Sequence, residues 1–531
     1  MQTDASQPAT LLTNAAIYTA DRHRPWASSL TVRDGIVESI DGPPSGPHVT
    51  RDLRGAFVMP GLVDAHNHHA IAGIGELHEF TIPVDAGFDA VLAAVRSRVE
   101  AHPEDDWIVG NGWSPLLIDA IAAPYALDAL DRATAGRPTV LREQSRHNRW
   151  ANRAALDAAG LPSEARTGRP VSGLLVEGEG LPVEVTLARA LAAVPRRIAL
   201  ACQHAIDRLH GFGVTAFQDA ATSLEVMRAL RDLDDAGLLT AWVVSSAVIN
   251  DQILGISPTG RELIASSPST ASTHHRPTFA KLFLDGIPPM RTAAFLDAHG
   301  CGHDDATMTM TDQELLEWLH AIADAGLSAK IHCTGDASVR AALDAVQAVR
   351  GAGKTQPRFH VAHGQYVHPG DIPRFAELDV VAEISPFVWY PGVIPDALTH
   401  VLPAGFAGRI HPNRDLLDAG VLIAAGSDWP VSESPDPLAG IAGLVTRADP
   451  TGRRPGRLWP EQAVSLLEAI AIFTANGARA LGLDDVTGTL TPGRSADFVI
   501  LDGNPFEMPV ERLGSMSVEQ TWFAGSIVYE R

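Results

Sequence analysis

The stretch Val58-Met59-Pro60-Gly61-Leu62-Val63-Asp64-Ala65-His66-Asn67-His68-His69 is an apolar strand that runs straight into a His-x-His pair. Side chains two apart on a strand share a face, so His66 and His68 point the same way. At the C-terminal end of a barrel strand, that face looks into the active site. Two imidazoles placed there suit Zn²⁺, Fe²⁺ or Mn²⁺. An isolated His-x-His is more often a polar loop, so the reading depends on what the rest of the chain supplies.

Outward from this stretch, strands alternate with helix-like segments, the mark of βαβ units and a parallel sheet. Eight candidate strands fall near 57–65, 213–219, 240–248, 279–285, 328–332, 358–363, 380–385 and 421–427. They predict an α/β fold, a (β/α)8 TIM barrel over 57–485. The interval between the first two strands is too long for a crossover helix. It contains the strand-like runs Trp107-Ile108-Val109-Gly110 and Pro138-Thr139-Val140-Leu141-Arg142, so an inserted α/β subdomain is expected at 77–197. Residues 256–276, rich in Ser, Thr and Pro, read as a loop.

Both chain ends are strand-rich. Ser29–Arg33 and Ile36–Ile40 flank Asp34-Gly35, a strong hairpin signal. Ala496–Leu501, Gln520–Ala524 and Ser526–Tyr529 repeat the pattern. Neither end has enough strands to stand alone, so 1–56 and 486–531 are expected to form one small β-sandwich.

Further ligand-type residues stand at the ends of the later strands: His332 after Ala329-Lys330-Ile331, His363 after Phe359-His360-Val361-Ala362, and Asp428 after Ala425-Gly426-Ser427. Strict alternation puts His360 and His363 on opposite faces. His363 is nearer the C-terminal rim and is the expected ligand. Lys281 sits in the otherwise apolar Phe279-Ala280-Lys281-Leu282-Phe283-Leu284-Asp285-Gly286. Burial favours its neutral amine, which can react with CO₂ to form an anionic carbamate able to bridge two cations. The plain alternative is pairing with Asp285 or another carboxylate.

The bulk properties set limits. The 531 residues exceed what one simple core supports, and 45% hydrophobic with 20% charged residues is an ordinary globular balance. A formal charge of −22 repels nucleic acid and anionic membranes, so neither is an expected partner. Three widely spaced cysteines, Cys202, Cys301 and Cys333, do not make a disulfide framework. With no secretory-type N-terminus and no long apolar run, a cytoplasmic location is expected.

Taken together, these motifs resemble the amidohydrolase superfamily, specifically amidohydrolase family 3, the branch that includes N-substituted formamide deformylases. The resemblance covers nearly the whole chain. It rests on Pro60-Gly61-x-x-Asp64-x-His66-x-His68, Lys281–Gly286, His332-Cys333-Thr334-Gly335-Asp336, His363-Gly364-Gln365, Gly426-Ser427-Asp428-Trp429-Pro430 and Gly488–Asp497, with Arg146–Asn152 as the insert motif. It implies that His66 and His68 bind one metal, that a carboxylated Lys281 bridges to a second held by His332 and His363, and that Asp428 binds the first metal and exchanges protons. Two Zn²⁺ are expected, with one metal as the alternative and Fe²⁺ or Mn²⁺ also competent. The resemblance further implies a homodimer.

The chemistry that follows is hydrolysis. Bound Zn²⁺ lowers the pKa of water toward ~7, and Asp428 can carry the proton to a departing amine, which is a poor leaving group without acid assistance. The expected substrate is a small, non-peptide amide such as an N-substituted formamide. The same site would also cleave an ester, a lactone or a cyclic amide, and a non-catalytic binding protein on the same barrel is the reading of another class. His147, Asp336, Trp113 and Trp389 are candidate substrate contacts. Phe387 and Trp429 are further aromatic candidates. Cys333 beside His332 makes a poor dyad, because neighbouring strand side chains point apart.

Overall fold

The computed structural model describes residues 8–162, 172–191, 196–251, 254–296, 308–385 and 388–531. Eight parallel strands form one sheet in chain order: β1 Leu62–Asn67, β2 Val214–Thr222, β3 Trp242–Val248, β4 His275–Phe283, β5 Ser328–Cys333, β6 Phe359–His363, β7 Val380–Ile384 and β8 Ile423–Ala425. Helices follow the strands, among them His69–His78 after β1, Leu224–Asp235 after β2 and Asp336–Gly351 after β5. β1 is buried along its whole length, as are β2, β3 and β5. Strands covered on both faces read as continuous apolar runs, which is why they are visible in the sequence. The architecture is a nearly closed (β/α)8 barrel. Its seam brings β8 beside β1, where the Asp428 N–H donates to the His66 carbonyl at 2.7 Å. A side chain at Gly426 would lie 2.1 Å from the His66 nitrogen, so the seam closes only around glycine.

The first expected strand, 57–65, is in fact two. Phe57–Pro60 leaves the barrel and pairs antiparallel with Phe498–Leu501, while β1 starts at Leu62. Gly61 is the joint: a methyl there would sit 2.1 Å from Thr215 Oγ1. The terminal sheets therefore extend past residue 56. One has four strands, in the order Ile36–Ile40, Leu30–Arg33, Ala9–Thr13, His48–Asp52. The other has six and draws on both chain ends: Ser526–Glu530, Val518–Phe523, Phe498–Leu501, Phe57–Pro60, Ala16–Tyr18, Trp26–Ala27. The two sheets share a core that includes Leu12, Ile17, Val58, Phe498 and Trp522, with the last two rings stacked at 4.9 Å.

A separate five-stranded sheet runs Leu174–Val176, Asn148–Ala151, Thr139–Glu143, Ile108–Trp113, Phe80–Thr81. Helices Phe88–Ala101 and Pro124–Thr134 pack on it around Trp113, Leu130 and Trp150. The expected loop at 256–276 is partly helical. Arg261–Ser266 forms a short helix whose Leu263 and Ile264 are buried, and β4 has begun by His275. Among the described residues no helix is long and apolar enough to cross a membrane. Cys202 and Cys333 are free and buried, and Cys301 lies outside the described residues.

Candidate metal centre

His66 stands one residue before the end of β1 and His68 follows the strand, while Asp428 follows β8 across the seam. His66 Nε2 and His68 Nε2 lie 3.5 and 3.4 Å from the same oxygen, Asp428 Oδ1. His363 Nδ1 is 4.0 Å from Asp428 Oδ2. The His363 ring stands 4.7 Å from that of His66 and 4.6 Å from that of His332. Lys281, His332 and His363 line the same cavity, of about 710 Å³, as His68 and Asp428. The structure thus gathers all six expected ligand residues at one mouth of the barrel.

The donor set fits a divalent cation. His66 Nε2 is buried with no hydrogen-bond partner among the described residues. The 3.4–3.5 Å contacts to Asp428 are long for hydrogen bonds. Two ligands of one tetrahedral ion, each about 2.1 Å away, stand about 3.4 Å apart. His66, His332 and His363 are also in the right protonation state. Burial, with help from Lys330, pushes His66 down to about 3, and burial holds His332 and His363 well below the usual imidazole range. Neutral imidazoles keep the lone pair that a metal needs.

Strict alternation breaks at the end of β6. His363 adopts φ 68° and leaves the extended conformation, so it turns to the side that His360 already faces. His360 Nδ1 bonds Glu383 at 3.0 Å, inside the barrel. Glu383 is the main residue that the sequence reading missed. It accepts from His66 Nδ1 and from Lys330 Nζ, and so fixes which His66 nitrogen faces Asp428. Burial would raise its pKa, but the Lys330 ammonium outweighs this and holds the carboxylate well below its ordinary value.

Lys281 is buried beside Lys330, its register partner across β4 and β5. Burial and the Lys330 charge push it down to about 7. It is not paired with Asp285. That carboxylate accepts from the backbone of Thr334 and Gly335 at 2.9 Å, Ser338 Oγ at 2.9 Å and Ala294 N at 3.1 Å, and so shapes the turn after β5. Asp64 has a similar structural task, accepting from Ser427 N and Oγ at 2.9 and 2.6 Å and tying β1 to the residue before Asp428.

The substrate-contact expectations divide. His147 reaches from the insert into the cavity, its Nδ1 2.8 Å from Glu177 and its ring 5.1 Å from that of His332. Burial would lower its pKa, but Glu177 outweighs this and raises it. Trp113, Trp389 and Asp336 are not on the cavity wall. Trp113 is in the insert core and donates to Leu141 O at 2.9 Å. Trp389 is buried edge-on against His411 at 5.3 Å. Asp336 begins helix Asp336–Gly351 and accepts from Leu296 N at 3.0 Å. Trp429 is likewise core, and Phe387 lies outside the described residues. Burial raises the Cys333 thiol well above its usual range, which removes it as a nucleophile.

A barrel with histidines and an aspartate converging at its C-terminal mouth is the architecture of metal-dependent hydrolases. The fold matches an uncharacterised metal-dependent hydrolase from Pyrococcus horikoshii with a TM-score of 0.75 at 20% identity, over 94% of this chain and 99% of that one. The profile of the amidohydrolase family matches residues 49–529, and the chain belongs to that family. Among named relatives, protein LONG AFTER FAR-RED 3 of Arabidopsis thaliana is 28% identical over 98% of this chain and 91% of its own length. The N-substituted formamide deformylase of Arthrobacter pascens is 24% identical over 98% of both.

Proposed function

We propose that the protein hydrolyses the C–N bond of a small, non-peptide amide, an N-substituted formamide or a close relative. The observation that carries this reading is the Asp428 carboxylate set between the His66 and His68 imidazoles at the end of a large cavity. The full-length similarity to an N-substituted formamide deformylase supports the substrate class. His66, His68 and Asp428 would hold one divalent cation, expected to be Zn²⁺, and His332 and His363 a second. Lys281, held near neutrality, would take up CO₂, release a proton and bridge the two as a carbamate. When bound, the metal acidifies water and polarises the substrate carbonyl.

Asp428 takes a proton from the attacking water and delivers it to the departing nitrogen. His147, with Nδ1 held by Glu177, donates from Nε2 to the substrate oxygen as charge develops there. Glu383 keeps the His66 ring in one orientation throughout. The test is Asp428→Asn in the metal-loaded protein, assayed on paired formamide and ester substrates. Turnover should fall by about 10²–10⁴-fold, with the formamide preferred by the parent enzyme. Undiminished turnover in Asp428→Asn would refute the assigned proton transfer.

A further inference from the structure

The cavity does not end at the histidines. It extends along helix His69–His78 to a group of arginines carried by the insert. Arg142 is fully engaged there. It donates to both oxygens of Glu79 at 2.9 and 3.0 Å and to both oxygens of Glu184 at 2.8 Å. Glu79 also accepts from Asn111 at 2.6 Å, and Glu184 from Arg149 at 3.0 Å. Each carboxylate therefore accepts three hydrogen bonds.

Arg146 lines the same part of the wall and feels the charges of Glu79 and Glu184, yet among the described residues its guanidinium makes no hydrogen bond or close ion pair with either. Four guanidiniums, of Arg142, Arg146, Arg149 and Arg197, thus lie around two carboxylates, in a chain whose net charge is −22. Arg146 also holds a left-handed backbone, φ 65°, which a bulky side chain adopts at a cost. Its guanidinium lies over Gly75, where even a methyl would come within 3.5 Å of it. Burial and the Arg142 charge outweigh Glu79 and Glu184 and push it down to about 10, so a further anionic partner would stabilise the cation.

We propose that Arg146 receives a carboxylate carried by the substrate, so that the preferred amides are those with an anionic end. The geometry gives the spacing. Gly75 is seven residues beyond His68 on one helix, about 10 Å at 1.5 Å per residue. Ile71 and Ile74 line the cavity between the two points, so the spacer is apolar. A planar guanidinium without a close ion pair, such as that of Arg146, matches a carboxylate in two-point contact. The neighbouring Glu79 and Glu184 would repel a doubly charged phosphate.

This inference rests on the amide-hydrolase reading, and the experiment separates the two. The metal-loaded full chain is assayed on N-formyl-ε-aminocaproate and on N-hexylformamide. The carboxylate should be favoured by about tenfold or more in kcat/KM. Arg146→Gly, which suits the left-handed backbone and should leave the melting temperature unchanged or raised, should abolish most of that ratio. Arg146→Lys should restore part of it. Equal kcat/KM for the two substrates, or a ratio that survives in Arg146→Gly, overturns the proposal.

Calorimetry with heptanoate against heptanamide decides the anion site without turnover. A preference for heptanoate that vanishes in Arg146→Gly supports the site, and one that is absent, or that persists in the variant, overturns it. Failure to cleave either formamide tells against the reaction and leaves the heptanoate result to judge Arg146.

Discussion

Two lysines lie side by side inside the barrel, Lys281 on β4 and Lys330 on β5, in register with one another. Both are buried, at 1% and 0% exposure. Lys330 donates to Glu383 and to the Ala65 carbonyl at 2.9 Å. Lys281 has no hydrogen-bond acceptor among the described residues, and the contact its ammonium makes is with the face of the Phe283 ring at 4.8 Å. The difference shows how one fold makes two kinds of buried amine. A lysine with a carboxylate and a carbonyl within reach stays charged and holds strands together. A lysine without them, facing a cavity, is free to do chemistry.

The largest separation should appear in activity. Losing even an outer-shell partner of a metal ligand costs about 10–100-fold, so Lys281→Met should lower kcat/KM by more than about a hundredfold. It should also reduce the bound metal, read by elemental analysis, from two ions per chain to one. Lys281→Gly supplied with a short-chain carboxylate should regain part of both. Full metal occupancy in Lys281→Met would remove the distinction drawn between the two lysines.

Stability should separate them in the other direction. Lys330→Met leaves the Glu383 carboxylate buried without its cation, held only by His66 and His360, at a cost of about 3–5 kcal/mol, measurable by denaturant unfolding. Lys281→Met removes a poorly solvated amine and should cost under about 1 kcal/mol. Adding Glu383→Gln to Lys330→Met should recover much of the loss.

The third difference is in pH dependence. In metal-free protein without CO₂, Lys281 has a folded pKa of about 7 against an ordinary 10.5. Below pH 7 both states are protonated and the burial penalty is fully present. As pH rises from 7 toward 10.5 the unfolded chain binds the extra proton, so stability rises. Lys281→Met should flatten that rise, read as melting temperature against pH.

The smallest effect belongs to the ring beneath the amine. Phe283→Leu removes a cation–π contact of about 0.5–1 kcal/mol, and should lower the apparent Lys281 pKa by under one unit, followed by the pH dependence of its acylation.

These contrasts also mark what the sequence could reveal. His66, His68, His332 and Asp428 were legible because each ends an apolar run, and β-strand periodicity says where such ends point. His363 was singled out by its position at the rim, and alternation misled there, since its positive φ puts it on the same side as His360. Glu383 is the one charged residue in the apolar strand Val380–Ile384, the same signal that marked Lys281, yet its task cannot be read there. Its importance comes from His66, 317 residues away in sequence, and no local pattern carries that. Trp113 and Trp389 misled because size and aromaticity mark a buried ring and a pocket wall alike. Gly61 hid a change of sheet inside one continuous apolar run, because the clash it avoids is with Thr215, far along the chain.

The seam between β8 and β1 has a consequence for how the protein comes into being. His66 leaves the ribosome more than three hundred residues before Asp428, and the two meet only when the barrel shuts. A nascent or truncated chain therefore carries half a cation trap, and reactivity arrives with the final turn of the fold.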